Sequence, residues 1–92
     1  MKLFVEIQGT LQQCFSSDKI TLSLKDRAHC KDMLLALEQM LHPEAAQSDW
    51  NFEQHAFRDP VLIINNGVSI WDMEMPLFDN QTIVIKRYLV KR

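Results

Sequence analysis

Five side chains of this 92-residue sequence carry the nitrogen and sulfur donors that zinc sites favour: His29, His42, His55, Cys14 and Cys30. Their spacing argues against a shared site. His29 and Cys30 are adjacent, so on a helix they point in different directions. His42 falls on another strip of that helix, and His55 lies in a stretch without a period. No CxxC or HxxxH spacing occurs, which is what a zinc site draws on. The set reads as surface imidazoles and one buried thiol, with no metal and no cofactor. Two widely spaced cysteines fit reduced cytosolic thiols. A nucleophile with its base is missing as well. Ser16-Ser17-Asp18 has the composition of a turn, where hydroxyls and carboxylates bond to the local backbone. Asp72, Glu74 and Asp79 form an acidic group near a second turn and read as a solvated rim. No catalytic residue is assigned, and the expectation is a protein that is not an enzyme.

The function classes narrow further with charge and hydropathy. Hydrophobic residues make up 47% and charged residues 24%, the balance of an ordinary globular protein. The formal charge is −2, from 10 Lys and Arg against 12 Asp and Glu, which argues against nucleic acid as the partner. The basic residues cluster only at Lys86, Arg87, Lys91 and Arg92. No apolar run approaches the ~18 residues of a membrane span, and "MKLFVEIQ" alternates rather than forming a signal-peptide core. A cytoplasmic protein without membrane contact is expected. The length suits one domain, 1–92, burying about 60–65% of its extended surface.

The elements follow from two periods. "KLFVEIQ" sets Leu3, Val5 and Ile7 on one face and Phe4, Glu6 and Gln8 on the other, the alternation of a strand. "KITLSL" alternates through Ile20, Leu22 and Leu24, so the two runs predict an antiparallel hairpin with a long connection. Cys30, Met33, Leu34, Leu37, Met40 and Leu41 then recur at three- and four-residue spacing. This predicts an amphipathic helix of about three to four turns, capped by Asp26 and ended before Pro43. Residues 43–59 lack a clean period; a helical turn near 44–48 is expected, with Trp50, Phe52 and Phe57 tacking the connection onto the core. "PVLIINNG" is a strand stopped by an Asn-Asn-Gly turn, "VSIW" a short strand, and "MPLFDNQ" a compact turn. "TIVIKRYLV" is the final strand, apolar on both faces in its first half.

A helix between the second and third strands must lie across one face of a single sheet. The first and last strands then run side by side in the middle, in parallel. The expected fold class is α+β: a ubiquitin-like β-grasp with a mixed four- to five-stranded sheet and one main helix across one face. Its inward set is Leu3, Val5, Ile7, Ile20, Leu22, Leu37, Ile63, Ile83 and Ile85. At this point the chain resembles the MoaD/ThiS group of ubiquitin-like sulfur carriers, which includes the eukaryotic ubiquitin-related modifier. The likeness rests on the opening "KLFVEI", on "CKDMLLALEQ" at the helix position, and above all on Pro76-Leu77-Phe78-Asp79-Asn80-Gln81-Thr82-Ile83. The resemblance implies a terminal Gly-Gly whose carboxylate is adenylated by an activating enzyme and converted to a thiocarboxylate. Here Lys91-Arg92 stands in those positions, and the only glycines are Gly9 and Gly67. Glycine threads channels closed to bulkier residues, so the carrier step is expected to be lost and the scaffold kept.

The binding residues expected from this reading lie on the open sheet face: Phe4, Leu62, Val84, Lys86 and Tyr88. Glu6 and Ile64 stand nearby, and the tail Leu89, Val90, Lys91 and Arg92 is a second contact. The expected partner is a protein, either activating-enzyme-like or a larger enzyme subunit. Two alternatives stay open. One is a sulfur carrier or modifier activated at a non-standard C-terminus, in molybdopterin, thiamine or tRNA thiolation chemistry. The other is a regulatory homodimer joined through the apolar face. The connection 43–59 competes with a partner, since it too is long enough to cover that face.

Overall fold

A computed structural model of the chain describes residues 1–46, 49–58, 61–70 and 72–87. Strand β1, Lys2–Ile7, leads through a short 3₁₀ helix, Gly9–Cys14, into β2, Lys19–Ser23. Helix α1 is Cys30–Glu38 and the single turn α2 is Pro43–Ala46. The strands β3, Trp50–Asn51, β4, Ala56–Phe57, β5, Val61–Asn65, β6, Val68–Ser69, and β7, Gln81–Arg87, complete the order. Five strands form one mixed sheet in the order β2-β1-β7-β5-β6, and β3 pairs with β4 separately. The first and last strands are the parallel pair at its centre, with Val5 opposite Ile83 and Ile7 opposite Ile85. This is the expected β-grasp sheet.

Alternation decides what the sheet buries. Leu3, Val5, Ile7, Leu22, Ile63, Ile83 and Ile85 turn to one side and are buried against Met33, Leu34 and Leu37 of α1. Each large aliphatic side chain so buried contributes about 1.5–3 kcal/mol. Ile20, at the edge, is only half-buried and packs against this core.

Helix α1 is shorter than its apolar spacing predicts, and its cap is a different residue. His29 takes the cap position and Asp26 does not. Arg27 adopts φ +66, a left-handed conformation that no helix started at Asp26 could contain. The first turn is instead fixed by tertiary partners. The Cys30 and Lys31 N–H groups donate to the carbonyls of Met75 and Met73 at 2.9 and 3.0 Å. Asp32 reaches back to accept from the His29 N–H at 2.7 Å. The helix stops at Glu38, so Met40 leaves the buried stripe and is 43% exposed, while Leu41 stays in the core.

The bond from His29 holds the Asp32 carboxyl below its ordinary range. A lowered folded-state pKa means stability that is present above the unfolded carboxylate value and lost as pH falls through the folded one. Asp32→Ala should therefore cost about 1 kcal/mol near neutral pH. In denaturant titrations, its difference from the parent protein should vanish once acid has protonated Asp32.

The connection after α1 is more ordered than its sequence shows. The helical turn expected near 44–48 is α2, which begins at Pro43. Beyond it, Trp50 faces Phe57 across the small β3–β4 hairpin with ring centroids 4.8 Å apart, edge to face. Asn51 Oδ1 closes the hairpin turn by accepting from the Glu53 and Gln54 N–H groups at 2.9 and 3.1 Å. Trp50 is wholly buried and Phe57 packs against the core, but Phe52 is 43% exposed and anchors nothing. The 52–55 turn carries Phe52 away from the core.

Candidate functional site

The residues with catalytic or ligating chemistry do not converge. His29 caps α1, His42 Nε2 lies 3.0 Å from the Ser16 hydroxyl, and His55 Nδ1 lies 2.7 Å from Glu38. Among the described residues no three His, Cys, Asp or Glu side chains could hold a metal ion together. Ser16 and His42 are both exposed, and among the described residues no carboxylate orients the imidazole. The acidic group near the second turn is spent on local structure. Asp79 accepts from the Lys2 N–H at 2.7 Å, Asp72 from the Glu74 N–H at 2.9 Å, and Glu74 pairs with Lys31 at 2.8 Å.

Both cysteines are buried, where the sequence predicted one. Burial pushes each thiol up to about 11, with the Asp49 carboxylate adding to the effect at Cys14 and Asp72 at Cys30. Neutral, enclosed thiols are poor nucleophiles. The 3₁₀ helix that buries Cys14 and Leu11 is too short to print a period in the sequence.

The basic cluster divides, because consecutive strand residues face opposite ways. Lys86 stands exposed on the outer side of the sheet. Arg87 turns inward and pairs with Asp49, a carboxylate only 4% exposed. Arg87 is thus a half-buried partner of the connection, on the opposite side of the sheet from Lys86. Asp49 also accepts a bond from the Cys14 thiol at 3.5 Å. Nothing in the sequence marks Asp49, which sits in the segment without a period. Lys91 and Arg92, with Tyr88, Leu89 and Val90, lie outside the described residues, as does Trp71.

Register assembles the outer face. Phe4 is opposite Thr82, Glu6 opposite Val84, Ile64 opposite Val84, and Leu62 opposite Lys86. Val84 therefore lies between Glu6 and Ile64, with Phe4 and Leu62 on its diagonals, within reach of aromatic and long side chains. Phe4 is 37% exposed, while Leu62, Ile64 and Val84 are half-buried. Four of the five expected face residues, Phe4, Leu62, Val84 and Lys86, share one side of three adjacent strands.

The described part of the connection lies on the other side of the sheet, with the helix. Trp50 enters the core on the helix side, its Nε1–H donates to Glu38 of α1 at 3.2 Å, and Asp49 meets the inward Arg87. The described part of the connection thus packs with α1. An apolar strip bordered by Glu6 and Lys86 can bind a protein surface by desolvation, with the charges setting orientation.

No protein-family model matches the sequence, and no curated protein is significantly similar to it. Solved structures are similar in fold. SAMP1 from Haloferax volcanii aligns over 100% of both chains with a TM-score of 0.78 and 15% identity. Urm1 from Trypanosoma brucei aligns over 99% of this chain and 95% of its own, with a TM-score of 0.73 and 14% identity. A Pyrococcus furiosus protein assigned as molybdopterin converting factor subunit 1 aligns over 96% and 98%, with a TM-score of 0.72 and 16% identity. The chain therefore has the ubiquitin-like β-grasp fold of these small proteins. Among the described residues no helix is long and apolar enough to cross a membrane.

Proposed function

We propose that this chain is a non-enzymatic ubiquitin-like module, related to the MoaD/ThiS carriers, that docks a protein partner through the outer face of its sheet. The partner is an activating-enzyme-like protein or a larger enzyme subunit, met in the cytoplasm. The observation that carries this reading is the strip Phe4, Val84, Ile64 and Leu62, held in register across β1, β7 and β5 on the side that α1 leaves open. Dispersed catalytic side chains support a binding role over an enzymatic one. Lys86 and the tail Leu89, Val90, Lys91 and Arg92 extend the contact.

A second reading is a sulfur carrier or protein modifier activated at a non-standard C-terminus. Its support is the full-length likeness to a modifier and to a molybdopterin converting factor subunit. One experiment separates the two. The protein is incubated with an adenylating enzyme of its own organism, ATP and a sulfur donor, then read by calorimetry and intact mass. Docking predicts binding that Phe4→Ala and Val84→Ala each weaken by about tenfold, as loss of a desolvated anchor does. Thermal unfolding should show both variants folded. Undiminished binding in both variants removes the sheet face from the account. A sulfur-for-oxygen exchange at the terminal carboxylate would establish the carrier reading instead.

A further inference from the structure

The sheet narrows at the end where β7 finishes. Pairing of β1 with β7 stops at Ile7 opposite Ile85, and the Gln8 N–H donates to the Ile85 carbonyl at 2.9 Å before β1 gives way to the 3₁₀ helix. On the other flank β6 pairs with Asn65 and Ile64 only. Lys86 and Arg87 therefore have register partners in β5 alone, Leu62 and Val61, and those two have partners in β7 alone. Among the described residues the ladder at this end is a ribbon two strands wide. Such a ribbon is marginal in water unless something packs on it.

On the helix side two of its side chains are held. Val61 is half-buried against the core, and Arg87 pairs with Asp49, 38 positions earlier in the chain. Asp49 is itself fixed before it meets Arg87. Its carbonyl accepts from the Arg58 N–H at 2.8 Å, and the Arg58 Nε–H donates to the carbonyl of the wholly buried Trp50 at 2.9 Å. The Asp49 side chain is 5% exposed, and its second oxygen accepts from the Cys14 thiol at 3.5 Å. Opening the ribbon lets water reach the Arg87 side chain, already 25% exposed, but strips a buried carboxylate of a charged donor. That loss is the larger part of the barrier, because a buried acceptor left without its partner keeps its full desolvation penalty.

We infer that Asp49 is a latch: its carboxylate closes the β5–β7 ribbon onto the connection, and Val61, Leu62, Lys86 and Arg87 open as one unit when it is released. Local openings of this kind are drawn from the parts of a fold with few packed neighbours. The unit crosses the sheet. Arg87 projects to the helix side, whereas Leu62 and Lys86 project to the outer side, so the connection sets the order of one end of the outer strip. Whatever grips the connection then changes affinity at that strip, and the reverse, a consequence that alone rests on the docking reading.

Native-state hydrogen exchange on the isotope-labelled full chain tests the latch. The Ile85 carbonyl is turned to Gln8, so Lys86 turns to β5, and the Leu62 and Lys86 amides bond across the ribbon. In the parent protein these two amides should share one level of protection, below that of Glu6 and Ile83 in the central β1–β7 pair. Urea below the unfolding transition should speed the central amides and barely move Leu62 and Lys86, because a small opening exposes little surface. Asp49→Asn keeps the volume and removes the charge, and should speed Leu62 and Lys86 together by about tenfold. Protection and urea dependence equal to those of Glu6 and Ile83 would overturn the inference, since the ribbon would then open only with the whole domain. So would Leu62 and Lys86 moving apart from one another, or staying unmoved in Asp49→Asn. Every readout is taken on the free protein, so each outcome stands apart from the docking reading, which the Phe4 and Val84 variants test.

Discussion

Replacing Asp49 with alanine should remove about 3 kcal/mol of stability, near the lower end of what breaking a buried ion pair costs. The reason is local. Asp49 is 4% exposed and accepts from both Arg87 and the Cys14 thiol, so it ties the connection to the end of β7 and to the 3₁₀ helix. The Arg87 side chain retains 25% exposure, and water can take up part of its hydration, which holds the loss to that end of the range. A domain of this size has about 5–15 kcal/mol in all. The variant should therefore melt roughly 12–24 °C lower, read by circular dichroism. Asp49→Asn keeps the volume and one acceptor and should lose distinctly less. Equal melting of Asp49→Ala and the parent protein would mean that the pair holds nothing together.

Trp50→Ala should be at least as damaging, costing about 3–5 kcal/mol as large-to-small changes of buried aromatics do. Trp50 is wholly buried, stacks edge-on against Phe57, and donates to Glu38 through Nε1. Its removal opens a cavity at the junction of α1 and the β3–β4 hairpin and withdraws one of the two groups that meet Glu38 Oε2. The other, His55 Nδ1, is half exposed and cannot fill the space. Trp50→Phe retains most of the packing and should recover the greater part of the loss. Because Asp49 and Trp50 are neighbours, the double variant should fall short of the sum of the two. Chemical denaturation of the four proteins gives the coupling directly.

Both of these positions lie where the sequence was least informative, and the reason is physical. Alternation over β1 reveals which side is buried, because Leu3, Val5 and Ile7 are separated by Phe4 and Glu6. The three- and four-residue spacing of Cys30, Met33, Leu34 and Leu37 reveals α1 in the same way. A two-residue strand has no period, so β3 and β4 could not be read, and neither could the 3₁₀ turn over Leu11 and Cys14. The start of α1 was misread because Asp26 has the chemistry of a cap. The carbonyls that fix the true start belong to Met73 and Met75, more than forty residues away in the chain. In the run Val61 to Ile64 the expected facing was Ile63 inward and Leu62 outward, and register sets Ile63 opposite Ile85 and places Leu62 and Ile64 beside Val84. The clustered cations were divided by the same alternation, which sends Lys86 outward and Arg87 in.

The proposed function rests on a strip assembled from three strands, of which only β1 was legible in strict alternation. Its border of Glu6 and Lys86 follows from register.

The most direct test of the docking account is amide mapping on the isotope-labelled protein, titrated with the adenylating enzyme used above. The account predicts signal loss or shifts concentrated at Phe4, Glu6, Leu62, Val84 and Lys86, with the amides of Leu35 and Gln39 on the far side of α1 unchanged. Perturbation centred on the exposed side of α1, with those of β1, β5 and β7 left in place, would contradict it.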